Sequence, residues 1–214
     1  LQPKTYGIGE VDVYGQLLIY KKMLQNVVSN INKNYISKPY NYEGYFKYSR
    51  QVDGQEKVKE ATVTIYDAQG YHREDVASAF KELNYKFNQV RRNSEVTSVW
   101  DGLTYFDDIL TADIVRNTRN VLDIVNSRDY KLKSKGKLVY EGDSVQVISY
   151  QATHPSISTT GDPAVQTYSG EIYVNLKDLA VLKNVVNLTS RDFNGLGRNL
   201  VTINEKPKSD AKMT

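Results

Sequence analysis

The stretch YEGYFKYSRQVDGQEKVKEATVTIYD, residues 42–67, predicts a β-hairpin and sets the fold class. Asp53-Gly54 lies between two β-rich segments, and this dipeptide favours a tight two-residue turn because both residues tolerate positive φ. In the second arm, residues 61–66 (ATVTIY) place apolar side chains at every other position. Successive side chains of a strand point to opposite faces, so one face of this hairpin should point into a core.

Outside this stretch, the sequence predicts two more hairpins and two helices. The hairpins cover Tyr130–Gln151 and Thr167–Ser190. Apolar residues recur every three or four positions in Gln16–Asn34 and again in Phe106–Val125, which is helical spacing. Hairpins interrupted by helices predict an α+β fold with a curved, half-barrel-like antiparallel β-sheet and two main helices packed on one face.

The ends of the chain are predicted to differ from its centre. Ile8–Gly15 (IGEVDVYG) is rich in β-branched residues and reads as a lone strand. We therefore divide the sequence into a terminal strand segment (1–15), an α+β domain (16–204) and a charged tail (205–214). The tail is expected to be either frayed or a strand separated from its partner.

Composition excludes several classes of protein. The 214 residues carry a net charge of +3, and no run of consecutive Lys or Arg exceeds two, so nucleic acid is not the expected partner. No segment has the 18 or more apolar residues of a membrane span. The absence of Cys excludes disulfides and thiolate metal sites within this sequence. No secretion signal precedes Leu1, so we expect a processed or shortened form.

The candidate catalytic residues form no recognisable constellation. His72 and His154 are 82 positions apart, and neither belongs to a metal-ligand cluster. Ser144 follows Gly142-Asp143, but this run is predicted to be a strand-to-strand turn and not a nucleophile elbow. We therefore predict no metal, no cofactor and no enzymatic activity, and a hydrolase that uses His154 with Ser144 or an acid remains an alternative.

Acidic residues cluster at the start of the predicted second helix. The cluster comprises Asp101, Asp107, Asp108 and Asp113. A calcium loop would need alternating ligands around a central Gly and a terminal Glu, which this segment lacks. Helix capping and a solvated face explain these carboxylates better than a metal site does.

Alternating lysines form the most specific binding pattern in the sequence. Lys131, Lys133, Lys135 and Lys137 are separated by single residues, so on a regular strand all four ammonium groups would share one face along about 20 Å. One interpretation is an exposed edge or face whose lysines discourage aggregation. The other is a strip that binds lipid phosphates or acidic glycans. Gly136 could also turn the chain and interrupt the strip.

Tyrosine is unusually frequent, with 17 residues against five Phe and one Trp. Half-buried β-structure explains this composition, since Tyr favours pleated surfaces. A tyrosine ring also offers a flat apolar face and a polar tip, which suits the stacking of sugars or peptides. Tyr42 and Tyr45, in the first hairpin, are the candidates for such a binding surface.

Short motifs resemble a known group of bacterial envelope proteins. Ile8–Gly15 resembles the Leu-x-Glu-Val-x-Val-x-Gly pattern that ends the carboxypeptidase-like regulatory domain. The residues Asn34, Tyr35 and Pro39, followed by Gly44–Lys47 (GYFK), are similar to the helix end and the aromatic strand that come after that domain in Gram-negative envelope proteins. Ser169–Asn175 with Asp178–Lys183 is similar to a later hairpin of the same proteins.

This resemblance implies a periplasmic or outer-envelope protein of uncharacterised function. Residues 1–15 would then be the last strand of the regulatory domain, and the domain name implies no peptidase activity. The hairpin-rich arrangement also looks like the lipoprotein-carrier fold, an open half-barrel that holds acyl chains.

The main functional hypothesis is a non-catalytic envelope module that binds an envelope protein, a glycan or a lipid through its curved sheet. A lipid or lipoprotein carrier is the alternative. It would require the inward positions Val63, Ile65, Ile172 and Val174 to line a hollow.

Overall fold

The computed structural model describes residues 10–52, 54–73, 83–93, 110, 112–123, 126–161, 165–190 and 210–213. This part of the chain is mostly antiparallel β-sheet, arranged as two sheets, with two α-helices. In chain order the elements are α1 (Glu10–Asn34), β1 (Tyr40–Val52), β2 (Gln55–Asp67), β3 (Leu83–Arg92), a 3₁₀ turn (Asn126–Asp129), β4 (Tyr130–Tyr140), β5 (Asp143–Ala152), α2 (Ile157–Thr160), β6 (Val165–Asn175), β7 (Val181–Ser190) and β8 (Asp210–Met213).

The first sheet is the three-stranded meander β1-β2-β3. The predicted hairpin is confirmed: Val52 pairs with Gln55 across the turn, and Gly54 has a φ of 78°. Alternation along β2 buries every second residue. The buried face carries a core of Phe46, Ala61, Val63 and Ile65, to which Leu110 also belongs.

The second sheet has five strands in the order β4-β5-β6-β7-β8. The two remaining predicted hairpins are confirmed as β4–β5 and β6–β7. Glu141 and Gly142 both have positive φ, as the two-residue turn between β4 and β5 requires. Within the predicted tail, Asp210–Met213 pairs with β7, so this part of the tail is a strand with a partner.

Helix α1 packs into the core of the five-stranded sheet. Leu24, Val27 and Ile31, one turn apart, lie in one cluster with Ile148 and Ile172 of the sheet. The predicted helix end at Asn34 is confirmed.

The start of α1 lies within the segment that is predicted to be a strand. The strand predicted over Ile8–Gly15 is wrong for Glu10–Gly15, which form the first turns of α1. Extending an existing helix adds one hydrogen bond per residue, and this outweighs the helix propensities of Val11 and Val13, which differ from that of Ala by only about 0.7 kcal/mol or less. Ile8 and Gly9 lie outside the described residues.

The helix predicted over Phe106–Val125 is wrong for residues 112–123, which form consecutive turns. Side chains take the place of helical backbone hydrogen bonds here. Asp113 Oδ1 accepts from the amides of Val115 and Arg116 at 3.0 and 3.1 Å. Asn120 Nδ2 donates to two carbonyls, and its Oδ1 accepts from the amide of Leu122. Asp and Asn compete with the helix in this way because their short side chains reach nearby backbone groups.

The turns nevertheless present apolar side chains at the positions that the periodicity identified. Ile114, Val121 and Leu122 are buried in the same core as α1 and the five-stranded sheet, and so is Val115, which the periodicity did not identify. The periodicity therefore located a buried face correctly and misidentified the backbone that carries it.

Candidate functional site

The predicted lysine strip is divided by a β-bulge. Lys131 pairs with Gln151 and Lys133 with Ser149, but the register shifts between Ser134 and Gly136. Beyond the shift, Lys137 pairs with Gln146. Directly paired residues share a face, and Gln146 lies on the opposite face from Ser149 and Gln151, so Lys137 is on the other face from Lys131 and Lys133.

The expectation of one face for all four lysines is therefore wrong, and the physical reason is the extra residue in β4. Gly136, whose φ is 102°, follows the bulge. All four lysines are exposed. Their role in ligand binding remains a prediction.

These lysines differ in their ionic partners. Lys135 Nζ lies 3.9 Å from Glu171 Oε1. Of the carboxylates that the structure describes, none forms an ion pair with Lys131, Lys133 or Lys137. Three cations along β4 are thus available to an external anion.

Tyr42 and Tyr45 lie on opposite faces of the three-stranded sheet. Tyr42 pairs with Ile65 and stacks on Tyr40, with ring centroids 5.7 Å apart. Tyr42 is still 40% exposed, and partial burial raises the pKa of its hydroxyl to about 12. Tyr45 instead pairs with Thr62 on the solvent-facing side and is 67% exposed. The two tyrosines therefore do not form one binding surface.

The solvent-facing side of the three-stranded sheet carries two exposed tyrosines among polar side chains. Tyr66, 44% exposed, is opposite Asn41, four residues before Tyr45 along β1. At about 3.3 Å per residue the two tyrosines are about 13 Å apart along the strand direction. Between them, Asn88 Nδ2 donates to Thr64 Oγ1 at 3.0 Å. We call this side, with Tyr45, Tyr66, Thr62, Thr64 and Asn88, the tyrosine face.

Tyr45 lies beside an ion pair at the surface of the sheet. The neighbouring Glu60 carboxylate raises the pKa of the Tyr45 hydroxyl above its ordinary value. Glu60 Oε1 in turn lies 3.7 Å from Lys47 Nζ. The Tyr45 side chain is open to solvent, so a ligand can stack on its ring.

A buried charge network joins the three-stranded sheet to the turns at 112–123. Arg116 Nη2 donates to Asp67 Oδ2 at 2.5 Å, and both side chains are almost fully buried, 4% and 1% exposed. The guanidinium carbon lies 4.4 Å from the centre of the Tyr71 ring. Burial alone would lower the pKa of Arg116, but the hydrogen bond and charge of Asp67 raise it above its ordinary value.

Tyr71 and Tyr35 extend this network to the five-stranded sheet. Tyr71 donates to Asp113 Oδ2 at 2.5 Å, and its ring stacks on that of Tyr35 at 4.6 Å. Tyr35 donates to the carbonyl of Val181 and accepts from its amide. Burial raises the pKa of both hydroxyls, that of Tyr35 to about 12. Both tyrosines therefore remain protonated donors at neutral pH.

Sequence reasoning missed this network. Asp113 was assigned to an exposed acidic cluster, but it binds Tyr71 and two backbone amides; Asp101, Asp107 and Asp108 lie outside the described residues. Asp67 and Arg116 are 49 positions apart, and no sequence spacing relates them. The network orders the junction between elements, and none of its groups faces a described cavity.

The hydrolase alternative is not supported by the geometry. Ser144 is the second residue of β5, whereas His154 follows its last residue, Ala152. Eight strand residues span about 26 Å, so this serine and this histidine cannot form a dyad. His72 Nδ1 instead lies 2.9 Å from the carbonyl of Gly70. Within the described ranges, no group of three or more His, Cys, Asp or Glu could hold a metal ion.

The carrier alternative gains no support from the packing. Val63, Ile65, Ile172 and Val174 are each 3% exposed or less and belong to the two cores. Side chains that lined a hollow would expose surface to it. In the part of the chain that the structure covers, no helix is long and apolar enough to cross a membrane.

Comparison with known proteins gives little beyond this. No family model matches the chain, and no curated protein matches it. Among solved structures, a DUF1329 family protein from Desulfovibrio piger aligns over 81% of this chain and 73% of its own, with 12% identity and a TM-score of 0.32. A likeness at this level carries no argument about function.

Proposed function

We propose that this protein is a non-catalytic module of the bacterial cell envelope, periplasmic or on the outer envelope, that binds a glycan through the tyrosine face. The observation that carries the proposal is Tyr45, which is 67% exposed on the same face of the sheet as Tyr66 and Thr64. An exposed tyrosine ring, with its two side-chain torsions, loses little conformational freedom when a ligand stacks on it.

The chemistry of the tyrosine face favours a sugar over a lipid. Sugar rings combine apolar C–H faces with hydroxyl groups, and this surface offers aromatic rings with hydroxyl and amide groups between them. Thr62, Thr64 and Asn88 can exchange hydrogen bonds with ligand hydroxyls. On the opposite side of the sheet, Phe46, Val63 and Ile65 are buried in a core, so binding at these residues would require the core to open.

The resemblance to envelope proteins that follow a carboxypeptidase-like regulatory domain supports the location. A glycan-binding module would meet its ligand in that compartment. We also propose that the five-stranded sheet curves around α1 as a half-barrel. Bulges between Ser134 and Gly136, Val165 and Thr167, and Tyr173 and Val174 support curvature, because each increases local twist.

The test is affinity electrophoresis of the protein through gels that contain purified envelope polysaccharides. We expect Tyr45→Ala to weaken retardation about fivefold, since an aromatic stacking contact contributes about 1 kcal/mol. Tyr140→Ala is the matched control, because Tyr140 is also exposed but belongs to the five-stranded sheet. Equal retardation of the Tyr45→Ala variant and the unchanged protein would refute the proposal.

A further inference from the structure

Strand β4 forms an edge of the five-stranded sheet. Among the strands that the structure describes, β4 is hydrogen-bonded only to β5. Its second half, Lys133–Tyr140, is exposed at every residue. An edge strand of this kind presents unpaired backbone amides and carbonyls to which another chain can add a strand.

The end of this edge is apolar on both faces of the sheet. Leu138 pairs with Val145 and Val139 with Ser144, so their side chains point to opposite faces. Val139 is 73% exposed and Leu138 is 39% exposed. Solvent-exposed β-branched and aliphatic side chains at an open edge can pack against the side chains of an added strand.

The lysines define the charge of the chain that fits. Because of the bulge, Lys133 and Lys137 lie on opposite faces, and neither has an ionic partner among the described carboxylates. An added strand would therefore meet a cation on each of its two faces. Acidic side chains at that position would complete both pairs, whereas basic ones would be repelled.

The same charges disfavour a second copy of this chain as the occupant. Edge-to-edge pairing of two β4 strands would bring lysines of one copy beside lysines of the other, and like charges opposite each other destabilise strand pairing. The bulge also limits the regular part of the edge to Gly136–Tyr140. The bulge affects any added strand equally, but a partner strand with acidic side chains avoids the repulsion between lysines.

We propose that β4 takes up an extended peptide segment of a partner protein as an added strand. The segment carries acidic residues beside Lys133 and Lys137 and apolar residues beside Leu138 and Val139. This inference is independent of the glycan proposal, because it uses the other sheet.

The probe is a fluorescein-labelled peptide of about eight residues, long enough to run beside Lys133–Tyr140 at about 3.3 Å per residue. Glu and Asp occupy the five positions beside Lys133–Lys137, and Val and Ile occupy the three beside Leu138–Tyr140. Both orders are made because a strand can add in either direction. The control peptide has the same sequence with N-methyl groups at alternate residues, which remove backbone donors and keep the charge.

Fluorescence anisotropy measures binding to the full chain, and amide chemical shifts locate it. We expect binding with a Kd below about 1 mM, at least about tenfold weaker with the N-methylated peptide, and shifts centred on Gly136–Tyr140. The double variant K133E/K137E should lose binding, whereas K38E/K86E, with the same change of net charge at exposed sites elsewhere, should keep it.

Four results of the peptide experiments would overturn the inference. These are no binding up to about 1 mM, equal affinity for the N-methylated peptide, amide shifts confined to strands other than β4 and β5, or equal loss of binding in both double variants. The chain could also form dimers in the absence of peptide. If K133E/K137E weakens or strengthens such dimers, a second copy is the occupant of the edge, and the proposal is refuted.

Discussion

Replacement of Arg116 by Met should destabilise the protein more than any exposed substitution. The guanidinium lies 2.5 Å from Asp67 Oδ2, and the two side chains are 4% and 1% exposed. Its removal leaves the Asp67 carboxylate buried, with the amides of Gln69 and Gly70 as its remaining donors. Breaking a buried ion pair by removing one partner costs about 3–5 kcal/mol.

Urea unfolding followed by circular dichroism measures this cost. With a slope of about 2 kcal/mol per molar urea, the midpoint should fall by about 2 M. Arg128→Met is the control, because Arg128 is exposed and such a change should alter the free energy of unfolding by less than about 0.5 kcal/mol. The double variant D67N/R116M should lose less free energy of unfolding than the two single variants lose in sum. A loss below about 1 kcal/mol for Arg116→Met would refute the reasoning.

Two further predictions concern close packing and alkaline pH. A Cβ at Gly170 would lie 2.0 Å from the Val185 carbonyl oxygen and 2.4 Å from the Tyr150 hydroxyl, so Gly170→Ala should cost about 3 kcal/mol. At Gly54 the φ is 78°, but an added Cβ would have no atom within 4 Å, so Gly54→Ala should lower the free energy of unfolding by only about 1 kcal/mol. Equal losses for the two variants in urea unfolding would contradict this prediction. Burial raises the pKa of Tyr35, Tyr42 and Tyr168 from 10.0 to about 12, so the unfolded state loses these protons first. The contribution of these tyrosines to the free energy of unfolding is complete below about pH 10 and is lost as the pH rises towards about 12. A urea midpoint that does not change between about pH 9 and 11.5 would contradict this prediction.

The β-hairpins could be predicted from the sequence because their determinants are local. Gly54 and the pair Glu141-Gly142 supply the positive φ values that the turns require, and alternation fixes which face is buried. The division into two sheets could not be predicted. Turn residues indicate which consecutive strands form a hairpin, but they do not indicate whether β3 pairs with β4.

The candidate sites depended on features that sequence spacing does not contain. One extra residue at Lys135 moves Lys137 to the other face of the sheet, and a bulge leaves no reliable mark in the sequence. The pairing of Asp67 with Arg116 requires the fold to be known first. Tyr45 was identified because aromatic composition is visible in the sequence, whereas the face that it shares with Tyr66 depends on strand register.

The order of the elements along the chain has a consequence for synthesis. Among the strands that the structure describes, each pairs with strands adjacent to it in the sequence within its own sheet, so each sheet can form as soon as its strands have emerged from the ribosome. Helix α1 differs, because Asn34 and Tyr35 at its end bond to Asp178 and Val181, 144 and 146 positions later. The apolar side chains of α1 therefore lack part of the core against which they pack until β6 and β7 have been synthesised. During that interval the nascent chain carries an exposed apolar helix, and this is the stage at which a chaperone would find its substrate.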